Sequence, residues 1–449
     1  MSRLSVNCVS RMRWSAPNSR MMRIAFWGRP LVLNQPRPRH FSASPRRNIM
    51  NMEGFTRDQL MVREEISSIC AKFPNKYWQD HDQKEEYPME FYNAIANEHW
   101  LGIMVPRNRG GTGLGISEAT MMMQTITESG AGMAGAQAIH TNILAAQPLV
   151  KFGREEWGGT IRRIVKGLYK TCFGVTEPNT GLDLTRLRTF ATKQADDSFL
   201  INGQKTWVTG CEDAWKMILL ARTKPIEQTK SPDEGLSLFC IDLQHIVGKR
   251  LRTRKINKMG ARAVKAHEVF FIDYRAPWDT LIGEEGQGFN YILHGLNAEC
   301  CLLAGEALGL GYAALKKAAY HARERVVFDR PIGANQGIAH PLAKAYMQLE
   351  AAKLATYHAA RLYDLKHTDA LTEQKEISVA ANTAKYLASE AAFTACERAV
   401  LTLGATGYAT EHDVERLLRE SLVTRIAPIS QEMILNYISE KALELPKSY

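Results

Sequence analysis

At 449 residues, 45% of them apolar and 23% charged, the chain is long enough for about three domains and apolar enough for a large core. The formal net charge of +10 arises wholly in residues 1–50, which hold ten arginines and no lysine, aspartate or glutamate; the 47 basic residues beyond them meet 47 acidic ones. A neutral body of this kind argues against binding nucleic acid.

In chain order, the Arg-rich, acid-free leader with scattered serines has the composition of a mitochondrial transit peptide. Arg39-His40-Phe41-Ser42-Ala43-Ser44 resembles a matrix-protease site, so the expectation is a leader over 1–48, a mature start between Ser42 and Ile49, and a mitochondrial matrix protein. A disordered basic arm is the alternative. The C-terminal Lys447-Ser448-Tyr449 is not a peroxisomal address, and no unbroken apolar run reaches membrane-spanning length. Eight cysteines without a Cys-x-x-Cys pair or a histidine at ligand spacing read as free thiols, and no metal site is expected.

Residues 49–170 carry a helical pattern broken by the turn-rich segment from Gly102 to Gly115. From 171 to 282 short β-rich runs alternate with turns: Met217 to Ala221, Leu236 to Leu243 and His267 to Ile272. From 283 to 449 the pattern is helical again, with Leu342, Ala345, Leu349 and Ala352 spaced to share one helix face.

Two segments of the β-rich part carry chemistry. Val175-Thr176-Glu177-Pro178-Asn179-Thr180-Gly181-Leu182-Asp183 reads as a strand running into a Pro/Gly loop, whose free amides and Thr176 hydroxyl can hydrogen-bond a polar ring edge. Ile201-Asn202-Gly203-Gln204-Lys205-Thr206-Trp207-Val208-Thr209-Gly210 reads as a hairpin turning at Asn202-Gly203, with Trp207 offering a flat apolar face and Thr209 a hydroxyl.

In this order and spacing the two segments resemble the flavin-binding signature of the acyl-CoA dehydrogenases, and the resemblance runs from about Phe55 onward. It implies an α+β fold: an N-terminal helical domain, a central antiparallel β domain and a C-terminal four-helix bundle. It also implies FAD, an acyl-CoA substrate, a homotetramer or dimer, and electron transfer to electron-transfer flavoprotein. Thr176, Trp207 and Thr209 would contact the flavin, with Phe173, Val175 and Gly181 supplying backbone. Arg325-Val326-Val327-Phe328-Asp329-Arg330-Pro331-Ile332-Gly333-Ala334-Asn335-Gln336 matches the segment that reaches FAD bound mainly by another subunit. There Arg325 would pair with the pyrophosphate, Phe328 pack on the cofactor and Gln336 hydrogen-bond it; Ser430 would lie near the adenosine.

The family's usual base, a glutamate after a tyrosine, is replaced by Ala427-Pro428. Leu296-Asn297-Ala298-Glu299-Cys300-Cys301-Leu302-Leu303-Ala304-Gly305 is similar instead to the helix that carries the base in isovaleryl-CoA and long-chain dehydrogenases, and places Glu299 there; Glu432 is the next candidate. Leu182, Asn297 and Pro428 would lie beside the substrate. Three departures stand out: Leu182 replaces a serine, Cys300 an arginine, and Leu401 a glutamine that often touches FAD. Proline lacks the N–H that would otherwise grip the thioester carbonyl, and losing Tyr-Glu widens the pocket, so branched, bulky or long acyl groups are expected. Alternatives are a flavin oxidase or monooxygenase on the same fold, and a catalytically silent member acting in binding or assembly.

Overall fold

The computed structural model describes residues 49–243, 250–365 and 371–448, without the side chains of 371–373. The leader 1–48, with its protease-like site, lies outside them. Six helices come first: α1 (Arg57–Cys70), α2 (Asn75–Lys84), α3 (Met89–Asn97), α4 (Ile116–Ile126), α5 (Gly132–Phe152) and α6 (Gly158–Val165). Their starts follow side-chain chemistry. At α1 a capping box closes, Thr56 accepting from the Gln59 amide while the Gln59 side chain returns to the Thr56 amide. At α4 the cap comes from across the fold, the Asp364 carboxylate accepting from the amides of Ile116 (2.8 Å) and Ser117 (3.0 Å).

The middle of the chain forms β1 (Thr171–Gly174), β2 (Phe190–Lys193), β3 (Phe199–Thr209), β4 (Lys216–Arg222), β5 (Leu236–Asp242), β6 (Leu251–Ile256), β7 (Ala266–Ala276) and β8 (Leu281–Ile282). They make one sheet in the order β6-β7-β3-β2-β4-β5-β8, with β1 beside β4. Its pairings are antiparallel except along one edge of β4, where β1 runs parallel over Thr171–Gly174 and β2 touches at Phe190↔Arg222. The expected hairpin at Asn202-Gly203 is absent. β3 is one continuous strand held by β2 on one edge and β7 on the other, so the chain cannot reverse there. Asn202-Gly203 instead forms an irregularity in the β3–β7 register. Asn202 exchanges hydrogen bonds with Asp273 (3.0 and 2.8 Å). Gly203, at φ 147°, lies so close to Thr189 that a Cβ would stand 2.6 Å from its Cα.

The C-terminal part begins with the 37-residue α7 (Gly288–Glu324) and the small hairpin β9 (Val326–Val327) and β10 (Arg330–Pro331). α8 (Gln336–Leu365), α9 (Leu371–Leu403), the short α10 (Ala405–Tyr408), α11 (Val414–Ile426) and α12 (Gln431–Lys441) follow. α7, α8, α9 and α11 pack as the bundle, and the α8 face of Leu342, Ala345, Leu349 and Ala352 is buried as its spacing predicts. α7 meets α4 so closely that a Cβ at Gly309 would fall 1.9 Å from the Thr127 hydroxyl oxygen. Among the described residues α7 alone is long and apolar enough to cross a membrane, and that stretch is almost wholly buried within the fold. No unbroken apolar run of that length shows in the sequence because Asn297, Glu299 and Glu306 interrupt it.

Candidate active site

A buried ion pair fixes the loop after β1. The Lys205 ammonium donates to Glu177 Oε1 and to the Val175 carbonyl, both at 2.9 Å, while Glu177 also accepts from the amides of Arg188 (2.7 Å) and Thr189 (2.8 Å). Burial raises the proton affinity of Glu177, but the Lys205 charge and these hydrogen bonds reverse the sign and hold it below the ordinary carboxylate value. Burial draws Lys205 down to about 8, against the pull of Glu177. Glu177 and Thr180 exchange backbone hydrogen bonds around Pro178-Asn179, and the Thr206 amide donates to the Thr176 carbonyl at 2.9 Å. Thr176 is thereby set beside the Trp207 stretch of β3.

Trp207 itself sits at a second register shift, between Lys205 and Val208, with φ 58° and 58% of its surface exposed. A bulky aromatic in the left-handed region costs of order 1–3 kcal/mol, and here it turns a flat apolar ring outward. Phe173 and Val175 are half-buried against the helices, Thr209 is half-buried at the end of β3, and Gly181 and Leu182 are exposed. A second outward aromatic lies at the tip of the β9–β10 hairpin: Phe328, with φ 53°, is 91% exposed and shares the turn with Asp329 at φ 60°. Arg325 and Gln336 flank this hairpin, both exposed, and the Arg325 guanidinium makes no ion pair among the described residues.

Glu299 lies on α7, its surface partly open although it is densely surrounded. Burial raises its proton affinity; His140 lowers it, Glu306 raises it and Lys385 lowers it. His140, on α5, bonds Glu306 Oε1 through Nδ1 at 2.6 Å. Lys385, on α9, donates to the Ile429 carbonyl at 2.7 Å and is brought down to about 8, mainly by burial. The neighbouring Cys300 thiol is buried and pushed up to about 12, so it stays protonated. Asn297 is buried and spends its amide on Ser378 Oγ at 2.9 Å, tying α7 to α9; that bond gives it a structural task beside the substrate-lining place expected of it. Pro428 is half-buried in the loop before α12. Ser430 caps α12, accepting from the Met433 amide at 3.4 Å. Glu432 is exposed in the first turn of α12, where its own amide and the Ser430 hydroxyl hold it below the usual carboxylate range, a poor setting for a base. Leu401 is exposed near the end of α9.

His140, Glu306 and Lys385 do not stand out in the sequence as site residues. Glu306 has a signal there: a lone acid in the run Leu303-Ala304-Gly305-Glu306-Ala307-Leu308, seven residues after Glu299 and therefore on the same helix face. His140 and Lys385 become visible only when α5 and α9 are brought against α7.

Sequence models of the acyl-CoA dehydrogenase N-terminal, middle and C-terminal domains match residues 56–158, 172–274 and 286–443. The chain belongs to the acyl-CoA dehydrogenase family. An acyl-CoA dehydrogenase of Mycobacterium tuberculosis is 32% identical over 395 residues, covering 86% of this chain and 96% of that one. A subunit of a caffeyl-CoA reductase–Etf complex from Acetobacterium woodii is 29% identical over 377 residues, covering 83% and 94%. Among solved structures, butyryl-CoA dehydrogenase from Megasphaera elsdenii superposes with a TM-score of 0.80 at 26% identity, covering 88% of this chain and all of that one.

This acyl-CoA dehydrogenase is an oxidoreductase that uses FAD. The residues present fit that cofactor: two aromatics held outward in left-handed backbone, an arginine beside one of them with no ion pair among the described residues, and open space around Gly181, where a Cβ would meet nothing within 4 Å. The mitochondrial location expected from the leader is overturned by these relatives, which are bacterial proteins. Arginine-rich, acid-free composition describes charge alone, and a charge pattern is not by itself an address.

Proposed function

We propose that this chain oxidises an acyl-CoA between Cα and Cβ to a trans-2-enoyl-CoA, with Glu299 taking the α-proton, and hands the electrons to electron-transfer flavoprotein. One observation carries the assignment of the base: the Glu299 carboxyl of α7 is partly open, feels the charges of His140 on α5 and Lys385 on α9, and has its proton affinity raised by its surroundings. A carboxylate whose proton affinity is raised is a stronger base once ionised. FAD held there would supply the acceptor for the β-hydrogen, which leaves as hydride. Thr176, Thr209 and the backbone of Phe173, Val175 and Gly181 would hold the flavin ring, with Trp207 against it. Arg325, Phe328 and Gln336 would reach FAD on a second copy, the guanidinium fork suiting a pyrophosphate. Exposed Met347 and Leu354 on α8 support a homo-oligomer, and the relative in a complex with Etf supports the electron acceptor.

Anaerobic mixing of the yellow protein with a panel of acyl-CoAs tests the reading. Branched or long acyl groups are expected to bleach the flavin faster than butyryl-CoA, because Pro428 offers the thioester no N–H and Ala427 leaves space beside Cα. Lack of bleaching by any acyl-CoA refutes the reaction, and a butyryl-CoA optimum refutes the substrate argument. Rapid reoxidation of the bleached protein by air, without electron-transfer flavoprotein, identifies an oxidase instead.

Trp207→Ala is expected to lower FAD occupancy or shift its spectrum, an aromatic stack being worth about 0.5–1.5 kcal/mol beyond burial. Arg325→Ala is expected to lose FAD and assembly together, measured by flavin content and light scattering. Full flavin content and native mass in both variants would remove these residues from the cofactor site.

A further inference from the structure

A buried pair beside the base has no part in the chemistry described so far. Glu306 is 1% exposed, and His140, whose side chain is 12% exposed, binds it at 2.6 Å. Two helical turns along one face of α7 separate Glu306 from Glu299. The other ring nitrogen of His140 has no hydrogen-bond partner among the described residues. We propose that His140 is a positioning residue for the reaction: Glu306 keeps it cationic, and its charge keeps Glu299 ionised and ready to take the α-proton.

This rests on Glu299 being the base. A buried carboxylate without a nearby cation takes up a proton and stops being a base. A bare histidine in place of the pair would fail as well, since burial strips it of its proton. The balance of burial and charge around the two groups follows that logic. Burial alone pulls His140 down, but the charge and hydrogen bond of Glu306, with a further contribution from Glu299, leave its proton affinity raised. For Glu299, burial is the largest influence and raises it, and His140 is the first charge that opposes this.

The other groups do not replace His140. From α7, Cys300 stays a neutral thiol. From α9, Lys385 also favours the ionised Glu299, but its ammonium is directed to the Ile429 carbonyl and burial weakens its hold on the proton. From α11 and α12, Arg425 and Glu432 act on Lys385, with opposite signs. His140 is therefore the cation that survives with a dedicated counter-ion.

The test uses the holoenzyme and the rate of anaerobic flavin reduction by a substrate acyl-CoA across pH. In His140→Asn the acid limb of the profile is expected to move up by about one pH unit, the low end of the effect of a nearby opposite charge, whereas Glu306→Gln removes an anion that itself raises Glu299 and so offsets the loss of the His140 charge. His140→Lys, which keeps a cation, is expected to return the limb toward wild type. Packing damage alone would depress the rate at every pH without moving the limb, and that result overturns the proposal. A second readout needs no turnover. In 13C-labelled protein the His140 ring resonance, assigned by its loss in His140→Asn, should titrate above the ordinary histidine value and fall below it in Glu306→Gln. Titration below that value in wild type overturns the proposal too. Should His140→Asn not fold, His140→Gln takes its place in both readouts, with the same two outcomes. Glu299→Gln run alongside separates the two claims: a wild-type rate there removes the base itself, whereas a dead Glu299→Gln with unmoved limbs removes only the role of His140.

Discussion

Glu299→Gln is expected to slow flavin reduction by about 10²- to 10⁴-fold, the usual worth of a positioned general base, while acyl-CoA still binds. Glutamine keeps the size and hydrogen-bonding shape of the side chain but cannot accept the proton. It also buries no charge, and His140 and Lys385 keep Glu306 and the Ile429 carbonyl as their partners, so folding should survive the change. Stopped-flow absorbance gives the rate, and titration of the spectral shift on binding gives the affinity. A wild-type rate would move the base away from α7. A loss of binding equal to the loss of rate would make Glu299 a contact for the substrate and not its base.

Arg416→Met is expected to be the most damaging substitution for stability, by about 3–5 kcal/mol or outright failure to fold. The guanidinium is fully buried and reaches Asp413 through Nε (2.6 Å) and Nη2 (3.0 Å), Glu420 through Nη1 (3.2 Å), and the carbonyls of Gly130 (2.6 Å) and Ala131 (3.4 Å). Glu420 in turn accepts from the Met133 amide at 2.7 Å. Methionine fills the space but takes the guanidinium's hydrogen bonds and charge from two carboxylates and two carbonyls, leaving Glu420 only the Met133 amide and Asp413 only Lys317 among the described residues, and each buried polar group left unsatisfied costs about 1–3 kcal/mol. Arg416 and Glu420 together pin the segment joining α4 to α5 onto α11, so the helix carrying His140 should shift when the arginine is lost. Denaturant unfolding followed by circular dichroism measures the effect. A midpoint within error of wild type would mean that solvent reaches the carboxylates in the variant.

Much of the architecture is legible in the sequence because it rests on short-range rules. The spacing of Leu342, Ala345, Leu349 and Ala352 marks the buried face of α8, and the β-branched and apolar runs mark β4, β5 and β7. The turn expected at Asn202-Gly203 fails because glycine after asparagine suits a tight turn and a bulge equally, and only the partner strands β2 and β7 decide between them. Trp207 is legible as an aromatic at the right place, but not as a residue in left-handed backbone, since that conformation comes from the register of β3 against β7. Glu177 is legible only as part of a loop; its pairing with Lys205 needs the sheet to bring positions 28 residues apart into contact. The surroundings of Glu299 are least visible, being assembled from α5, α7 and α9.

α7 ends one residue before Arg325, so a single continuous helix joins Glu299 to the hairpin that carries Phe328. Each residue of an α-helix advances about 1.5 Å and turns about 100°. The 25 helical steps from Glu299 to Glu324 therefore set both the reach, about 40 Å, and the direction in which the hairpin leaves the bundle. Adding or deleting one residue between Glu306 and Glu324 would leave composition and hydrophobicity almost unchanged, yet swing Arg325 and Phe328 roughly a quarter-turn about the helix axis. The length of this segment is thus a specification of its own, and homologous chains built the same way should tolerate substitutions within it far better than insertions.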